Sequence, residues 1–172
     1  MLLRHNCLCD ILFTACRTAA LSPRKEVPSL IPGSASGPAD VFLPVRNQGK
    51  PAALDVSIIS PLQFLVVDEA AVSQGYATSY DERRKRRAHE GDCAEVGVEF
   101  VPLLVETLGG WSEDAISLIR EVGQLQAHQL GQLPSSITGH LFQRLAVSLW
   151  RGNASMWASR LPSVPHLVDG VL

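Results

Sequence analysis

The chain has 172 residues, 46% hydrophobic and 19% charged, with a formal net charge of −2. That length suits one domain with a real core, and the near-neutral charge excludes a global basic signature, so any nucleic-acid contact has to come from a local patch. No apolar run reaches the roughly 18 to 20 residues of a membrane span, and Arg4 stands where a secretion signal needs its apolar stretch. A nuclear or cytoplasmic, non-secreted protein with no membrane partner is therefore expected. Cys7, Cys9, Cys16 and Cys93 lack C-x-x-C spacing and read as free thiols in a reducing compartment.

In chain order, Arg4 to Leu21 predicts a helix, with Leu8, Ile11, Leu12, Ala15, Cys16 and Ala19 at three- and four-residue steps, stopped by Ser22-Pro23. Lys25 to Ile31 predicts a first strand, limited by Pro28 to an edge or a broken ladder. The turn-rich Pro32 to Gly37 leads to Pro38–Val45 and Ala52–Ile59, two short apolar runs joined by Arg46-Asn47-Gln48-Gly49-Lys50-Pro51. These predict a β-hairpin. A mixed, partly helical segment follows to Ser79, then a strongly charged helix from Tyr80 to Val96 that stops at Gly97. Val98–Glu106 predicts a buried strand. Ser112-Glu113-Asp114 supplies an N-cap and early acids for a helix running to about His128. A connector from Gln129 to Ser136 precedes one or two helices over Ile137 to Leu161, with Leu141, Leu145, Leu149 and Trp150 as the apolar face. This order predicts an α/β fold with a small mixed sheet.

The hairpin brings two acids together. Opposed residues of an antiparallel pair have numbers that add to a constant, and a turn centred between Asn47 and Gln48 sets it at 95, which makes Asp40 and Asp55 direct cross-strand neighbours on one face. Opposed Cβ atoms are roughly 4.5 to 5.5 Å apart, so two bare carboxylates repel there, and a divalent cation such as Mg²⁺ between them relieves the repulsion through hard oxygen ligands. The plain alternative is two surface aspartates that cap strand ends.

The ordered set Arg4-His5-Asn6, Glu26, Pro38-Ala39-Asp40, Leu54-Asp55-Val56, Lys85 with His89, Phe100-Val101-Pro102-Leu103 and Glu106-Thr107-Leu108-Gly109-Gly110-Trp111 resembles the restriction-like endonuclease region at the C-terminal end of site-specific non-LTR retrotransposon polyproteins, a branch of the PD-(D/E)XK nuclease superfamily. The resemblance spans about Arg4 to Arg160. It implies a restriction-endonuclease-like core, helix then a small mixed sheet of about four strands with a second helix, over residues 1–128, with a C-terminal helical extension over 129–172. It departs from the usual motif at Ser57, where that motif has lysine, and at Gly37, where an arginine commonly precedes the acid element. The retroelement branch is similar in carrying its lysine on the following helix, where Lys85 stands.

The resemblance implies a metal-dependent DNA endonuclease that nicks target DNA. Asp40 and Asp55 would hold Mg²⁺ or Mn²⁺ with a strand carbonyl near Val56, and Lys85 would orient water or stabilise phosphate charge. Glu26 and His89 are secondary candidates, Glu26 through water or as a supporting acid, His89 one helical turn from Lys85 as a phosphate contact, a proton shuttle or a packed ring. Arg83, Arg84, Arg86 and Arg87 form either a phosphate-binding stripe or a solvated helix face paired with Asp81, Glu82 and Glu90. The expected partners are DNA and the rest of a reverse transcriptase polyprotein. The alternative function is a non-catalytic remnant or co-opted module that binds nucleic acid or a protein.

Overall fold

The computed structural model describes residues 2–160 except 26, 28–29, 32–36, 38 and 47–48. Among these, five helices and a four-stranded mixed sheet form an α/β architecture: α1 (Leu2–Thr18), β1 (Arg24–Lys25), β2 (Val41–Leu43), β3 (Ala52–Ile59), α2 (Val67–Val72), α3 (Tyr76–Glu95), β4 (Glu99–Glu106), α4 (Glu113–Leu130) and α5 (Pro134–Ala158). The sheet order is β1-β2-β3-β4. The pairs β1/β2 and β2/β3 are antiparallel, and β3/β4 is parallel, as the intervening helical crossover requires.

Pleat alternation assigns the two faces of the sheet. Val41, Leu43, Leu54, Val56, Val101, Leu103 and Val105 point to one side, where they join Leu8, Leu12 and Cys16 of α1, Leu118, Ile119 and Val122 of α4, and Leu141, Leu145 and Leu149 of α5 in one large apolar cluster. The expected C-terminal extension is α5, and its leucines belong to that same cluster. Trp150 falls outside the expected apolar face and is half exposed, because it lies one residue past Leu149 and so turns about 100° away from it. On the opposite face, two smaller clusters hold α3 against the sheet: Ala53 and Phe100 with Cys93, and Ile59 with Val66 and Ala77.

The helix ends follow local chemistry. Ser112 caps α4 by accepting from the Ala115 N–H at 3.3 Å, and Gly131 closes it at φ 62°. Helix α1 ends in a Schellman arrangement, Ala20 N–H to Arg17 O and Leu21 N–H to Cys16 O, both 3.0 Å. This puts Ala20 at φ 61°, a left-handed position that glycine fills at lower cost. The first strand is shorter and earlier than the expected Lys25–Ile31 segment, much of which lies outside the described residues. The outer edge of β4 is covered by its own following turn. Ser112 N–H donates to Leu104 O at 2.9 Å, Glu106 N–H donates to Gly110 O at 2.6 Å, and Trp111 bridges Val105.

Candidate active site

The observed register places Val41 opposite Leu54, Phe42 opposite Ala53 and Leu43 opposite Ala52, each pair adding to 95. Asp40 precedes Val41, one step beyond the last of these pairs, and the expected placing of Asp40 and Asp55 on one face is not kept: Asp55 turns toward Lys85 of α3, whereas Asp40 turns its carboxylate to the Val56 N–H and to His5 of α1. The ladder closes irregularly there: Asp40 N–H donates to Leu54 O at 2.9 Å, and Asp40 Oδ2 accepts from the Val56 N–H at 2.7 Å. The side chain of Asp40 thus takes over as a ladder acceptor where strand β2 begins, which fixes its carboxylate against β3.

Asp55 lies on the α3 face, between the Ala53–Phe100–Cys93 and Ile59–Ala77 clusters. The face of α3 turned toward the sheet reads Ala77, Asp81, Lys85, His89, Cys93, apolar at both ends and polar in the middle. Lys85 reaches down from that middle and donates to Asp55 Oδ2 at 2.5 Å, with both side chains 15% exposed. Burial pushes the Asp55 carboxyl above the usual carboxylate range. The Lys85 ammonium pulls it back by charge and hydrogen bond, and the neighbouring Asp40 charge adds to the rise. His89 packs its ring against Phe100, centroids 5.5 Å apart and tilted by 52°.

A second cation meets Asp40 from the other side of the sheet. His5, in the first turn of α1, lies with Nε2 3.2 Å from Asp40 Oδ2 and 3.0 Å from the Val56 carbonyl. The hydrogen bond to Asp40, seconded by Cys9, raises the imidazole pKa to about 11 against the cost of burial, so at neutral pH His5 is an imidazolium donating Nε2–H into the two oxygens. Cys9, one turn along α1, puts Sγ 3.7 Å from the ring nitrogens. No family model and no curated protein matches this chain. Its chemistry therefore has to be read from these groups.

The basic run divides. Arg86 bonds Glu82 at 3.1 Å and Glu90 at 2.7 Å and also bonds Asp114, tying α3 to the start of α4. Burial pulls its pKa down and the three carboxylates more than offset this, so its charge is held above the ordinary arginine range. Arg84 bonds Asp81 at 2.6 Å. Arg83 and Arg87 are exposed and make no ion pair among the described residues. Of the four expected phosphate contacts, these two are the ones with uncommitted charge. Glu26 lies outside the described residues.

Sequence reasoning missed three groups. His5 and Cys9 enter the site through i,i+4 spacing on α1, a legible signal whose target, Asp40, was not. Arg46, with only 6% of its side chain exposed, bonds Glu121 at 3.0 and 3.2 Å and Glu99 at 3.2 Å. It locks the hairpin turn to β4 and α4. Gly37 is open: a Cβ there would meet nothing within 4 Å.

Proposed function

We propose that this protein is a metal-dependent DNA endonuclease of the restriction-like class, derived from a retroelement. The observation that carries this reading is the Lys85–Asp55 ion pair at 2.5 Å, held between two apolar clusters and near enough to Asp40 for that charge to raise the Asp55 carboxyl. A lysine from the helix after the hairpin, contacting the second strand acid, is the arrangement the sequence resemblance implied.

The donor set fits a hard divalent cation. Each carboxylate uses Oδ2 in the contacts above, and Oδ1 of both has no hydrogen bond among the described residues. Burial is the main cause of the raised Asp55 carboxyl, with the Asp40 charge adding to it. Asp40, Asp55 and the Val56 carbonyl would hold Mg²⁺ or Mn²⁺, which when bound supplies an activated water and neutralises phosphate charge. A cation that used Asp40 Oδ2 or the Val56 carbonyl would have to displace the His5 imidazolium from them. Lys85 holds Asp55 in place and offers its remaining N–H donors to a phosphate oxygen, a role suited to its compact charge. Arg83 and Arg87 would add salt-dependent, sequence-independent attraction for the DNA backbone.

The second reading is a nucleic-acid-binding module without catalysis, favoured by the His5 imidazolium, which already satisfies Asp40 Oδ2 and the Val56 carbonyl as a resident cation. Nicking of supercoiled plasmid by the purified chain with Mg²⁺ or Mn²⁺, against EDTA, separates the two. Metal-dependent nicking is expected, and a folded chain that binds DNA without nicking it would select the second reading.

A further inference from the structure

We propose that His5 Nε2, Cys9 Sγ and the Asp40 carboxylate form a binding site for a borderline-soft divalent transition metal of the Zn²⁺ class, distinct from the hard-cation site above and sharing only Asp40 with it. The three donor atoms lie within 4.8 Å of one another. Tetrahedral Zn²⁺ with ligand distances of ~2.0 to 2.3 Å spaces a nitrogen and a sulfur donor about 3.6 Å apart, and a nitrogen and an oxygen donor about 3.4 Å apart. The corresponding separations here are 3.7 Å for Cys9 Sγ to His5 Nε2 and 3.2 Å for His5 Nε2 to Asp40 Oδ2. Two of the three donor pairs therefore stand near ligand spacing; Sγ is equally 3.7 Å from Nδ1 and so lies over the ring, and a turn of the imidazole is needed to aim Nε2 at a metal shared with the sulfur.

Three further features suit a metal. His5 and Cys9 are one helical turn apart on α1, so a rigid element sets their separation. The other ring nitrogen, His5 Nδ1, is 3.3 Å from Asn6 Oδ1, an outer partner of the kind that fixes the tautomer of a ligating histidine with Nε2 free to bind. Asp40 is itself held by the Val56 N–H at 2.7 Å. Cys9 is buried in the core cluster and His5 and Asp40 are partly exposed, so the site has a sulfur wall and a solvent-facing side. Three protein donors leave a fourth position for water. The thiolate selects against Mg²⁺ and Ca²⁺, which take oxygen ligands, and for Zn²⁺, Co²⁺ or a comparable ion. Binding replaces the imidazolium proton and the thiol proton with the metal.

This inference does not depend on nuclease activity, and its test reads binding alone. The reduced full chain is titrated with Co²⁺ and followed by absorption. A 1:1 complex with visible d–d bands and a near-ultraviolet thiolate-to-cobalt charge-transfer band is expected, displaced by Zn²⁺ and not by Mg²⁺. Cys9→Ser should remove the charge-transfer band, and His5→Gln and Asp40→Asn should each weaken Co²⁺ binding by about tenfold or more, with circular dichroism showing that the chains remain folded. If Cys9→Ser does not fold, His5→Gln, whose side chain is partly exposed, carries the same test. Cys7→Ser and Cys93→Ser should keep the band, and so should Asp55→Asn, which strikes the hard-cation pair only. A folded wild-type chain with no charge-transfer band, or a band that survives Cys9→Ser, overturns the site whatever the plasmid assay gives.

Discussion

Two charged clusters lie on this sheet, and they are built to opposite rules. At the start of β3 and β4, Arg46 spans Glu99 and Glu121, and beside the outer strand Arg86 gathers Glu82, Glu90 and Asp114. There a forked guanidinium meets several carboxylates, and hydrogen bonds fix four elements together. Further along β3, Asp40 and Asp55 are brought side by side, and the cations that meet them are a single Lys85 Nζ and a single His5 Nε2 on opposite sides of the sheet. The first cluster brings opposite charges together and ties the frame. The second brings like charges together first and leaves carboxylate oxygens uncommitted, which is the condition for accepting an added cation.

The largest expected effect falls on the second cluster. Asp40→Asn and Asp55→Asn should each reduce metal-dependent nicking on the order of 10²- to 10³-fold, measured on supercoiled plasmid with circular dichroism showing that the chains remain folded. Unchanged nicking in either variant would sink the proposed roles.

Arg46→Ala should do the reverse. It removes a nearly buried side chain, leaves Glu121 without its partner and should destabilise the fold by about 3 kcal/mol, read from chemical denaturation. A Tm close to wild type would place Arg46 among the weak surface pairs and erase the contrast between the clusters.

The basic helix offers a finer test of the same division. Arg83→Ala/Arg87→Ala should weaken DNA binding and lower its salt slope by about two phosphate contacts, at unchanged stability. Arg86→Ala should lower stability, because three carboxylates lose their common partner. Equal effects of these variants on the salt slope would reunite the run into one binding stripe.

The last effect is a pH dependence. With a folded pKa of about 11 against an unfolded value of ~6.5, the folded state holds the extra His5 proton. The stability this contributes is complete below ~6.5, declines as pH rises, and is lost on passing about 11. Thermal melts between pH 6 and pH 9 should therefore fall more steeply for the wild-type chain than for His5→Gln. Parallel slopes would remove the imidazolium from Asp40. Asp55 has the same sign at the acid end, because its carboxyl is also raised and the folded state again holds the extra proton: Lys85→Ala, by removing the nearest cation, should push that carboxyl still higher, as followed by carboxyl NMR titration.

Much of the fold was legible in the letters. Strand Ala52–Ile59 and the cross-strand sum of 95 followed from turn chemistry and β-branched alternation, because hairpin register is set locally by the loop. The helices α1, α4 and α5 followed from periodicity and, at Ser112, from a cap, and α3 from its charge and its stop at Gly97, although it begins at Tyr76, one turn before the expected Tyr80. The shortness of β1 and β2 was not legible, since strand length depends on which neighbours complete the ladder. Asp40 leaves the regular ladder and bonds Val56 with its side chain, an outcome no propensity encodes.

The sequence by itself determined the hairpin register, because that depends only on the residue count across a turn. It also determined that a lysine one helix later was available to meet the hairpin's acids. Tertiary structure decided the partners: that Lys85 lands on Asp55 rather than in solvent, that His5 and Cys9 arrive at Asp40 across the sheet, and that Arg86 is claimed by α4 while Arg83 and Arg87 keep their charge free of ion pairs among the described residues. Those contacts join residues from 28 to 35 positions apart. They exist only once the two faces of the sheet are covered, because burial alone sets which side of each helix turns inward and which polar groups it carries with it.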